Sequence, residues 1–335
     1  MELNTISFSD FTALATVIFE KSKMSLPQEA RNSGMFRFEP IPENSGDTRK
    51  YTEIDTEEYA TKKNQGDQAS RARVVQGYSK IMSVTRFAKD IGITYEMRKY
   101  NKYQDVVQRL TSLAALPLNR RELNIQHRIG FGTSTTMTDM DGDTVDTSVG
   151  DTLALFSTVH KLSGSSTTYR NRIANNPQLS KGALEAAEKL VVEQTFNHFG
   201  EKLTMPFDIL WTTDDPNTIN TALEYLKSVA APEGINSGVT NVYQGKYHHV
   251  KLSRVATTAA GAPDSTKAKY WGLASSMFTD AHVGVWEEPH LKTPMDLNAG
   301  EDFATDNWNF GTREGHGICI LSGAWVKFSS GDGTA

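Results

Sequence analysis

Residues 35–96 contain strand-like segments separated by a long polar stretch, and this pattern restricts the possible folds more than any other. Residues 50–54 alternate in polarity as a strand does, and residues 71–93 are rich in Val, Ile, Tyr and Thr. A turn-forming Asn-Gln-Gly-Asp sequence at residues 64–67 lies between them. Because residues 58–70 have few large apolar side chains, such a hairpin cannot bury its own tip. The sequence therefore predicts a long β-hairpin that projects from the body or lies on a partner.

Two stretches on either side of this region have helical periodicity. In the N-terminal arm, the apolar side chains with helical spacing are Phe8, Phe11, Leu14, Ala15, Ile18 and Phe19. Pro27 and Gly34 should end this short helix. Residues 96–130 predict a long helix, whose apolar stripe consists of Tyr103, Val106, Val107, Leu110, Leu113 and Ala114. Pro117 should kink or interrupt that helix, and Gly130-Phe131-Gly132 should end it.

The rest of the chain mixes both kinds of element. Residues 131–180 are turn-rich, with one strand predicted at residues 152–159. Ser180 caps a helix predicted over residues 181–199, and Pro216 begins one over residues 216–229. Further strands are predicted at residues 207–211, 247–253, 269–274, 282–287, 307–312 and 317–328. The fold class is therefore α+β, with an extended arm and a protruding hairpin. Such appendages favour exchange between neighbouring copies, since each buries its own surface poorly.

Charge and cysteine content exclude several classes of protein. The 335 residues have a formal net charge of −5 and no long basic tract, which argues against tight binding of nucleic-acid phosphates. The single cysteine, Cys319, excludes an internal disulfide framework and a cysteine-rich metal site. The N-terminus lacks the pattern of a signal peptide, and the longest apolar stretch is too short to span a bilayer. We expect a soluble protein that is made in the cytoplasm.

Five short segments, in a fixed order, carry a resemblance to a known family. They are Asp151-Thr-Leu-Ala-Leu-Phe-Ser-Thr-Val-His160, Leu179-Ser180 before its helix, Gly200 to Leu210 with Leu203 and Pro206, Tyr270-Trp271-Gly272-Leu273-Ala274, and Arg313-Glu314-Gly315-His316-Gly317. Together they resemble the Hong Kong 97-type capsid fold and, within it, the Mu-like major head subunit family. The resemblance covers most of residues 35–328. Trp211 to Asp215 depart from it, because relatives have a hydrophobic, proline-rich stretch there.

The resemblance implies a division of the chain into named parts. Residues 1–34 would be the N-terminal arm and residues 35–96 the extended hairpin, or E-loop. Residues 97–180 would form the P-domain with its long spine helix, and residues 181–300 the A-domain. Residues 301–335 would supply the return strands of the P-domain and the C-terminal tail, with an Arg-Gly turn at residues 313–317.

The resemblance also implies a function. The chain would be the major capsid protein of a tailed bacteriophage, a homo-oligomer whose pentamers and hexamers form an icosahedral shell around double-stranded DNA. Its partners would be neighbouring capsid subunits, a scaffolding protein, the portal, a decoration protein and packaged DNA bound without sequence specificity, with no membrane. It would be found in the host cytoplasm during assembly and then in the virion. An encapsulin-type nanocompartment shell protein, which has the same fold, is the nearest alternative.

The sharpest polar cluster is Asp139-Met140-Asp141-Gly142-Asp143, followed by Asp146 and Asp151. Clustered carboxylates can bind Ca²⁺, and a Ca²⁺-dependent hydrolase is the alternative from another class. The calcium-loop pattern fails, however, because glycine stands fourth instead of sixth and no glutamate closes the loop. Asp-Gly is a turn signal. We interpret the cluster as a structural turn.

Other candidate sites also have structural interpretations. Gly130-Phe131-Gly132-Thr133-Ser134 lacks the lysine of a phosphate loop, and Ser163-Gly164-Ser165 lacks the elbow of a serine hydrolase. Cys319 is expected to be a small buried side chain. Four tryptophans are expected to fill cores and subunit interfaces: Trp271, Trp286, Trp308 and Trp325. No metal or catalytic pattern joins the histidines His160, His248, His249, His282, His290 and His316. The founding member of the fold cross-links a hairpin lysine to an asparagine of a neighbour, and Lys62 and Lys63 lie near the predicted tip without a matching acceptor. We therefore predict no enzyme activity, no cofactor and no catalytic or metal site.

Overall fold

A computed structural model of the chain describes residues 8–42, 44–94, 96–97, 100, 102–230, 239–293 and 307–333, and for residues 8–11 and 103 the backbone alone. The helices are α1 (Phe8–Ser25), α2 (Glu29–Asn32), α3 (Tyr103–Gly130), α4 (Lys181–Glu193) and α5 (Pro216–Lys227). The strands are β1 (Arg37–Pro40), β2 (Thr48–Thr56), β3 (Val74–Ser83), β4 (Thr85–Ile93), β5 (Thr136–Thr138), β6 (Thr144–Asp146), β7 (His160–Lys161), β8 (Thr168–Tyr169), β9 (Ile209–Thr212), β10 (His248–Lys251), β11 (Trp271–Ala274), β12 (Ala281–Lys292), β13 (Trp308–Ile320) and β14 (Val326–Ser329).

Two four-stranded sheets form the centre of the described structure. The first has the order β1-β12-β13-β4, and the second has the order β10-β9-β11-β14. In the first sheet β1 runs parallel to β12, whereas β13 is antiparallel to both of its neighbours. Three two-stranded hairpins, β2-β3, β5-β6 and β7-β8, are separate from these sheets. This mixture of helices and largely antiparallel sheets confirms the predicted α+β class.

The core is divided into clusters that follow these layers. The largest includes Trp211, Trp325 and Phe328 and joins both sheets to the C-terminal end of α3. A second packs α4 and α5 against the second sheet. The third joins α1 to α3 and to Trp308 and Phe310 of β13. Ala15 and Phe19 of α1 are buried in this cluster, so the predicted arm helix packs on α3 of its own chain. Each fully buried apolar side chain stabilises the fold by about 1.5–3 kcal/mol.

Helix α3 continues through Pro117 without interruption, so Pro117 does not break the helix as the sequence analysis allowed. A proline inside a helix costs about 3 kcal/mol because it removes one hydrogen bond and crowds the preceding turn. Buried side chains on both sides of it, including Leu113, Leu118 and Ile125, anchor the helix and offset this cost. The helix ends at Gly130, as predicted.

Several predicted elements were wrong. Residues 152–159 form turns instead of a strand, because Thr152 has a positive φ of 66° and the Asp151 carboxylate accepts a hydrogen bond from the backbone of Leu153. The helix that begins at residue 181 ends at Glu193 instead of residue 199. The predicted return strand at residues 71–93 is two strands, β3 paired with β2 and β4 paired with β13.

The turn expected at residues 313–317 is also wrong, because these residues lie within the continuous strand β13. Their glycines mark close packing instead of a reversal of the chain. A Cβ atom on Gly315 would lie 2.8 Å from the ring of Trp286, and one on Gly317 would lie 2.5 Å from the Ser83 carbonyl oxygen. The strand predicted at residues 307–312 is the first part of β13. The one predicted at residues 317–328 is wrong as a single strand, because residues 317–320 end β13 and β14 begins only at Val326.

No helix in the described ranges has both the length and the apolar character needed to cross a bilayer.

Candidate assembly surface

The β2–β3 hairpin ends in a tip loop, residues 57–73, that is almost entirely exposed. The strands pair from Thr48 with Ser83 to Thr56 with Val74. Beyond the last pair, the side chain of Arg73 binds the carboxylate of Glu57, and this hydrogen bond lowers the pKa of Glu57. The loop therefore emerges from a closed strand end and presents its polar side chains to solvent.

The base of the tip loop, where β2 and β3 end, is held against the segment at residues 195–201. The Asp55 carboxylate lies 2.8 Å from Nδ1 of the buried His198 and also accepts the backbone N–H of His198 at 2.7 Å. On the neighbouring residues, Glu201 accepts the backbone N–H of Glu58, and the Arg73 guanidinium lies 4.8 Å from the centre of the Phe199 ring. Hydrogen bonds to a carboxylate are among the stronger ones. The two ends of the tip loop are thereby fixed to the body, which leaves the middle of the loop as the projecting part.

A β-bulge in β2 brings a second carboxylate, that of Glu53, close to the contact between Asp55 and His198. The register of β2 shifts between Thr52 and Ile54, and the Glu53 side chain lies over Gly77 of β3, where a Cβ atom would meet its carboxylate oxygen at 2.4 Å. Burial raises the pKa of Glu53, although the nearby His198 lowers it. Sequence reasoning missed His198 and Glu201, and no spacing in the sequence connects them with the hairpin.

The aspartate cluster forms the tight end of the β5–β6 hairpin. Oδ1 of Asp139 accepts the backbone N–H groups of Asp141 and Asp143, both at 2.9 Å. Arg120 of α3 binds Oδ2 of Asp139 at 2.9 Å and Oδ2 of Asp141 at 2.8 Å. Gly142 has a φ of +91°, as this turn requires. The carboxylates therefore stabilise a turn and its contact with α3.

Asp146 and Asp151 have partners elsewhere. Asp146 accepts the backbone N–H of Ser148 and pairs with Lys80 at 3.2 Å; burial opposes its ionisation, but these bonds lower its pKa overall. Asp151 lies 2.8 Å from Nδ1 of His160, whose Nε2 lies 3.1 Å from the Leu155 carbonyl oxygen. Both ring nitrogens of His160 are thus occupied, which leaves neither for a general base. Within the described ranges, no group of three or more His, Cys, Asp or Glu side chains has the geometry of a metal site.

The other candidate residues lie apart from one another. Residues 130–134 end α3, where a Cβ on Gly132 would overlap the Phe156 ring. Gly164, with a φ of +70°, turns the chain between β7 and β8. Cys319 is buried beside Ile41 and Met82, and burial raises the pKa of its thiol to about 11.

The tryptophans and the hairpin lysines have contrasting environments. Trp271, Trp308 and Trp325 are buried, whereas Trp286 is 39% exposed beneath Arg86. Lys62 and Lys63 are exposed in the tip loop, as their position in the predicted hairpin implied. The histidines occupy separate sites: for example, His249 contacts Thr212, and His282 stacks on Tyr51.

Comparison with known proteins shows similarity in structure alone. No protein-family model matches the sequence, and no curated protein is significantly similar to it. The capsid structure of the cyanophage P-SCSP1u matches with a TM-score of 0.50 and 11% identity, covering 88% of this chain and 85% of that chain. The capsid of the Myoviridae phage XM1 also matches with a TM-score of 0.50 and 11% identity, covering 90% of this chain and 91% of that one. The chain therefore has the fold of tailed-phage capsid subunits, which confirms the predicted fold.

Proposed function

We propose that this chain is the major capsid protein of a tailed bacteriophage. The observation that carries the proposal is that a phage capsid fold spans nearly its whole length, with 90% of this chain and 91% of the XM1 capsid chain aligned. Appendages that bury little of their own surface support the same conclusion, because a lone subunit gains little from an exposed tip loop of 17 residues, 57–73. The protein would act by assembly, without catalysing a reaction.

Within this proposal the chain divides as the resemblance implies. Residues 1–34 form the arm, 35–96 the E-loop, 97–180 the P-domain with the spine helix, 181–300 the A-domain, and 301–335 the return strands and tail. The fixed ends and exposed middle of the tip loop support an E-loop that reaches a neighbour. The packing of α4 and α5 on the second sheet supports a separate A-domain body.

Assembly would proceed from rings to a closed shell. Pentamers and hexamers would form around the A-domains, and hairpins would overlap adjacent subunits. A scaffolding protein, a portal and packaged DNA complete the proposed set of partners, and a decoration protein could be added. The net charge of −5 fits an inner wall that does not hold the DNA tightly.

Electron microscopy and size-exclusion chromatography of the purified full-length chain test the proposal. We expect rings, sheets or closed shells that coexist with free subunits. A chain that stays monomeric at high concentration, and that hydrolyses substrates when Ca²⁺ is added, would contradict it and favour the hydrolase. Shells isolated from the producing cells distinguish the nearest alternative: tails and packaged DNA support a phage head, whereas enclosed protein cargo without tails identifies a nanocompartment.

A further inference from the structure

Strand β4 forms one outer edge of the first sheet. It has nine residues and pairs with β13 along its whole length, from Thr85 with His316 to Ile93 with Trp308. In the described structure no strand pairs with its other side. The other outer strands of the two four-stranded sheets, β1, β10 and β14, have four residues each. A long edge strand presents a row of unpaired N–H and carbonyl groups to any chain that approaches it.

Two contacts show which backbone groups of β4 point away from the sheet. A Cβ atom on Gly311 of β13 would lie 3.7 Å from the Lys89 carbonyl oxygen, so the backbone groups of Lys89 face β13. The Gly92 carbonyl oxygen instead accepts a hydrogen bond from Nη1 of Arg109 in α3, at 2.7 Å. Because these groups alternate in direction along an antiparallel strand, the even-numbered residues of β4 point outward.

The unpaired part of this edge is bounded at both ends. At one end the Val84 N–H donates to the Asp47 carbonyl oxygen at 3.0 Å, and at the other Gly92 is bound by α3. Among the described residues, nothing binds the outward backbone groups between these two points. We call this stretch, residues 85–91, the β4 edge. Its outward groups belong to three exposed residues: Arg86, Ala88 and Asp90.

The side chains of these three residues make the β4 edge complementary to itself. They lie on one face of the sheet, because side chains alternate between the faces along a strand. The Arg86 guanidinium lies 5.5 Å from the centre of the Trp286 ring on that face. Neither Arg86 nor Asp90 forms an ion pair with a described residue. A cation and an anion placed symmetrically about Ala88 suit two antiparallel copies of the same strand.

Only one register of such a pair sets unlike charges opposite each other. Since the outward groups belong to even-numbered residues, even-numbered residues must pair with one another. Antiparallel pairing centred on Ala88 sets Arg86 of each copy opposite Asp90 of the other. Centring the pair on Arg86, Lys89 or Asp90 would bring like charges together, which destabilises a sheet. Centring it on Phe87 would leave Arg86 opposite Ala88.

We propose that the β4 edge pairs with the β4 edge of a second copy of this chain, antiparallel and centred on Ala88. The outward N–H and carbonyl groups form a ladder between the copies, and two Arg86–Asp90 ion pairs flank its centre. The first sheets of the two copies then form one sheet of eight strands, four from each copy. Each copy contributes the same surface, so the contact is isologous and joins two subunits only.

In the proposed shell this pairing would join neighbouring rings. Rings of subunits need further contacts with one another to close a shell, and an isologous strand pair supplies a two-fold contact of that kind. This role rests on the proposed function, whereas the pairing itself rests on the β4 edge. Charged side chains on an edge strand also serve in some proteins to keep other chains away. The experiments below separate pairing from such protection.

Oxidative cross-linking of the full-length variant Ala88→Cys tests the centre of the contact. Opposed residues in a hydrogen-bonded antiparallel pair have Cα atoms about 5.5 Å apart, within the range of a disulfide. We therefore expect diamide to convert the variant into a covalent dimer, which a denaturing gel measures. The native thiol, Cys319, is buried, and the wild type gives its background.

The matched control is Thr85→Cys, at an exposed position of the same strand. In the proposed register the two introduced thiols of this control lie roughly 20 Å apart, the rise of six strand residues. The control should form at least about tenfold less dimer than Ala88→Cys, because a disulfide cannot span that distance.

Charge reversal in the Ala88→Cys background tests the two ion pairs. Arg86→Asp or Asp90→Arg alone sets like charges opposite each other, and each should lower the dimer yield about tenfold at low salt. An equimolar mixture of the two should restore the yield, because the acidic edge of one then meets the basic edge of the other. The double variant, Arg86→Asp with Asp90→Arg, keeps the net charge of the wild type and should restore the yield as well.

Three results would overturn the proposal. The first is equal cross-linking of Ala88→Cys and Thr85→Cys, which would show random collision. The second is no dimer from Ala88→Cys, which would show that the charges keep the edge single. The third is a loss in both single reversals that neither mixing nor the double variant restores. Circular dichroism should show that every variant is folded, since all the changed side chains are exposed.

The proposed function and this inference can fail separately. If Ala88→Cys forms normal shells that contain no covalent dimer after oxidation, the shell function stands and the strand pairing is wrong. If the chain forms no rings or shells but Ala88→Cys gives dimers that respond to charge reversal as expected, the pairing stands and the shell function is wrong.

Discussion

Lys327 is a fully buried cation. Among the described residues, its ammonium group has one close polar contact, the Ala324 carbonyl oxygen at 3.3 Å. The Phe207 ring lies 5.7 Å away, and no carboxylate in the described structure forms an ion pair with the lysine. Burial lowers its pKa from 10.5 to about 7. Between these two values the unfolded chain binds more protons than the folded one, so this lysine makes stability rise with pH. Below about pH 7 the lysine is charged in both states, and its destabilisation of the folded state is complete.

Lys327→Met should therefore stabilise the isolated subunit. We expect the free energy of unfolding to rise by about 1–4 kcal/mol at pH 7, because a buried, unpaired charge is replaced by an apolar chain of similar volume. The gain should shrink as the pH rises towards 10.5, above which the wild-type lysine is neutral in both states. Urea unfolding at pH 7 and pH 9.5 measures it, with Lys189→Met on the exposed face of α4 as the control. An equal gain at both pH values would contradict the assignment.

Asp139 and Asp143 stand in the same acidic turn and have different surroundings. Asp139 accepts two backbone N–H groups and pairs with Arg120, whereas the side chain of Asp143 is exposed. Asp139→Ala should lower the free energy of unfolding by about 1–3 kcal/mol, since it leaves these donors without their partner. Asp143→Ala should change it by less than about 0.5 kcal/mol. Urea titrations with and without Ca²⁺ measure both values. Stabilisation of the wild type by Ca²⁺ would show that the aspartate cluster binds the metal ion after all.

At the scale of single elements, helix α1 presents one buried and one exposed side. Phe19 is buried among Leu110, Leu113 and Trp308, whereas Val17 is 62% exposed. Phe19→Ala should cost about 3–5 kcal/mol because it removes a large side chain and leaves a cavity. Val17→Ala should cost less than about 0.5 kcal/mol in the monomer. Thermal unfolding of both variants tests whether the arm belongs to the core of its own chain; equal shifts would show that it does not.

The attachment of the tip loop's base to the body depends on Asp55, which binds His198 through two contacts. Asp55→Ala should release the hairpin without unfolding the body. We expect amides of β2 and β3 to exchange hydrogen roughly 5–30-fold faster, which corresponds to a loss of 1–2 kcal/mol, while those of α4 stay unchanged. Asp67→Ala in the tip loop is the matched control. Exchange mass spectrometry that shows no difference between the two variants would contradict a base fixed by Asp55.

Elements with a strong local pattern were predictable from the sequence, and contacts between distant segments were not. The stripe from Val106 to Ala114 indicated α3, and Pro216 indicated the start of α5, because helices are specified by neighbours three to four residues away. The division of residues 71–93 into β3 and β4 depends on pairing with β13, more than 200 residues later. The contact of Asp55 with His198 is equally remote, and its residue types are ordinary.

At the scale of the whole molecule, substitution of a cation in the tip loop tests whether the charge of this loop guides the association of subunits. Arg71 is exposed and makes no ion pair with a described carboxylate, whereas Arg73 binds Glu57. Arg71→Glu should leave the free energy of unfolding within about 0.5 kcal/mol of the wild type. It should nevertheless slow shell formation, because complementary charges govern orientation and encounter more than stability. Light scattering at low and high salt follows assembly; normal kinetics at low salt would assign Arg71 to solubility alone.

The parallel pairing of β1 with β12 has a consequence for the time course of folding. Glu39 of β1 and His282 of β12, whose side chains lie 3.2 Å apart across this pair, are 243 positions apart in the chain. Contacts between such distant residues slow folding, since a large loop must close before they form. During synthesis the ribosome must therefore release most of the chain before the first sheet can be completed. Until then the edge strands β1 and β4 lack their central partners β12 and β13, and chaperones can act on the nascent subunit during this interval before it joins others.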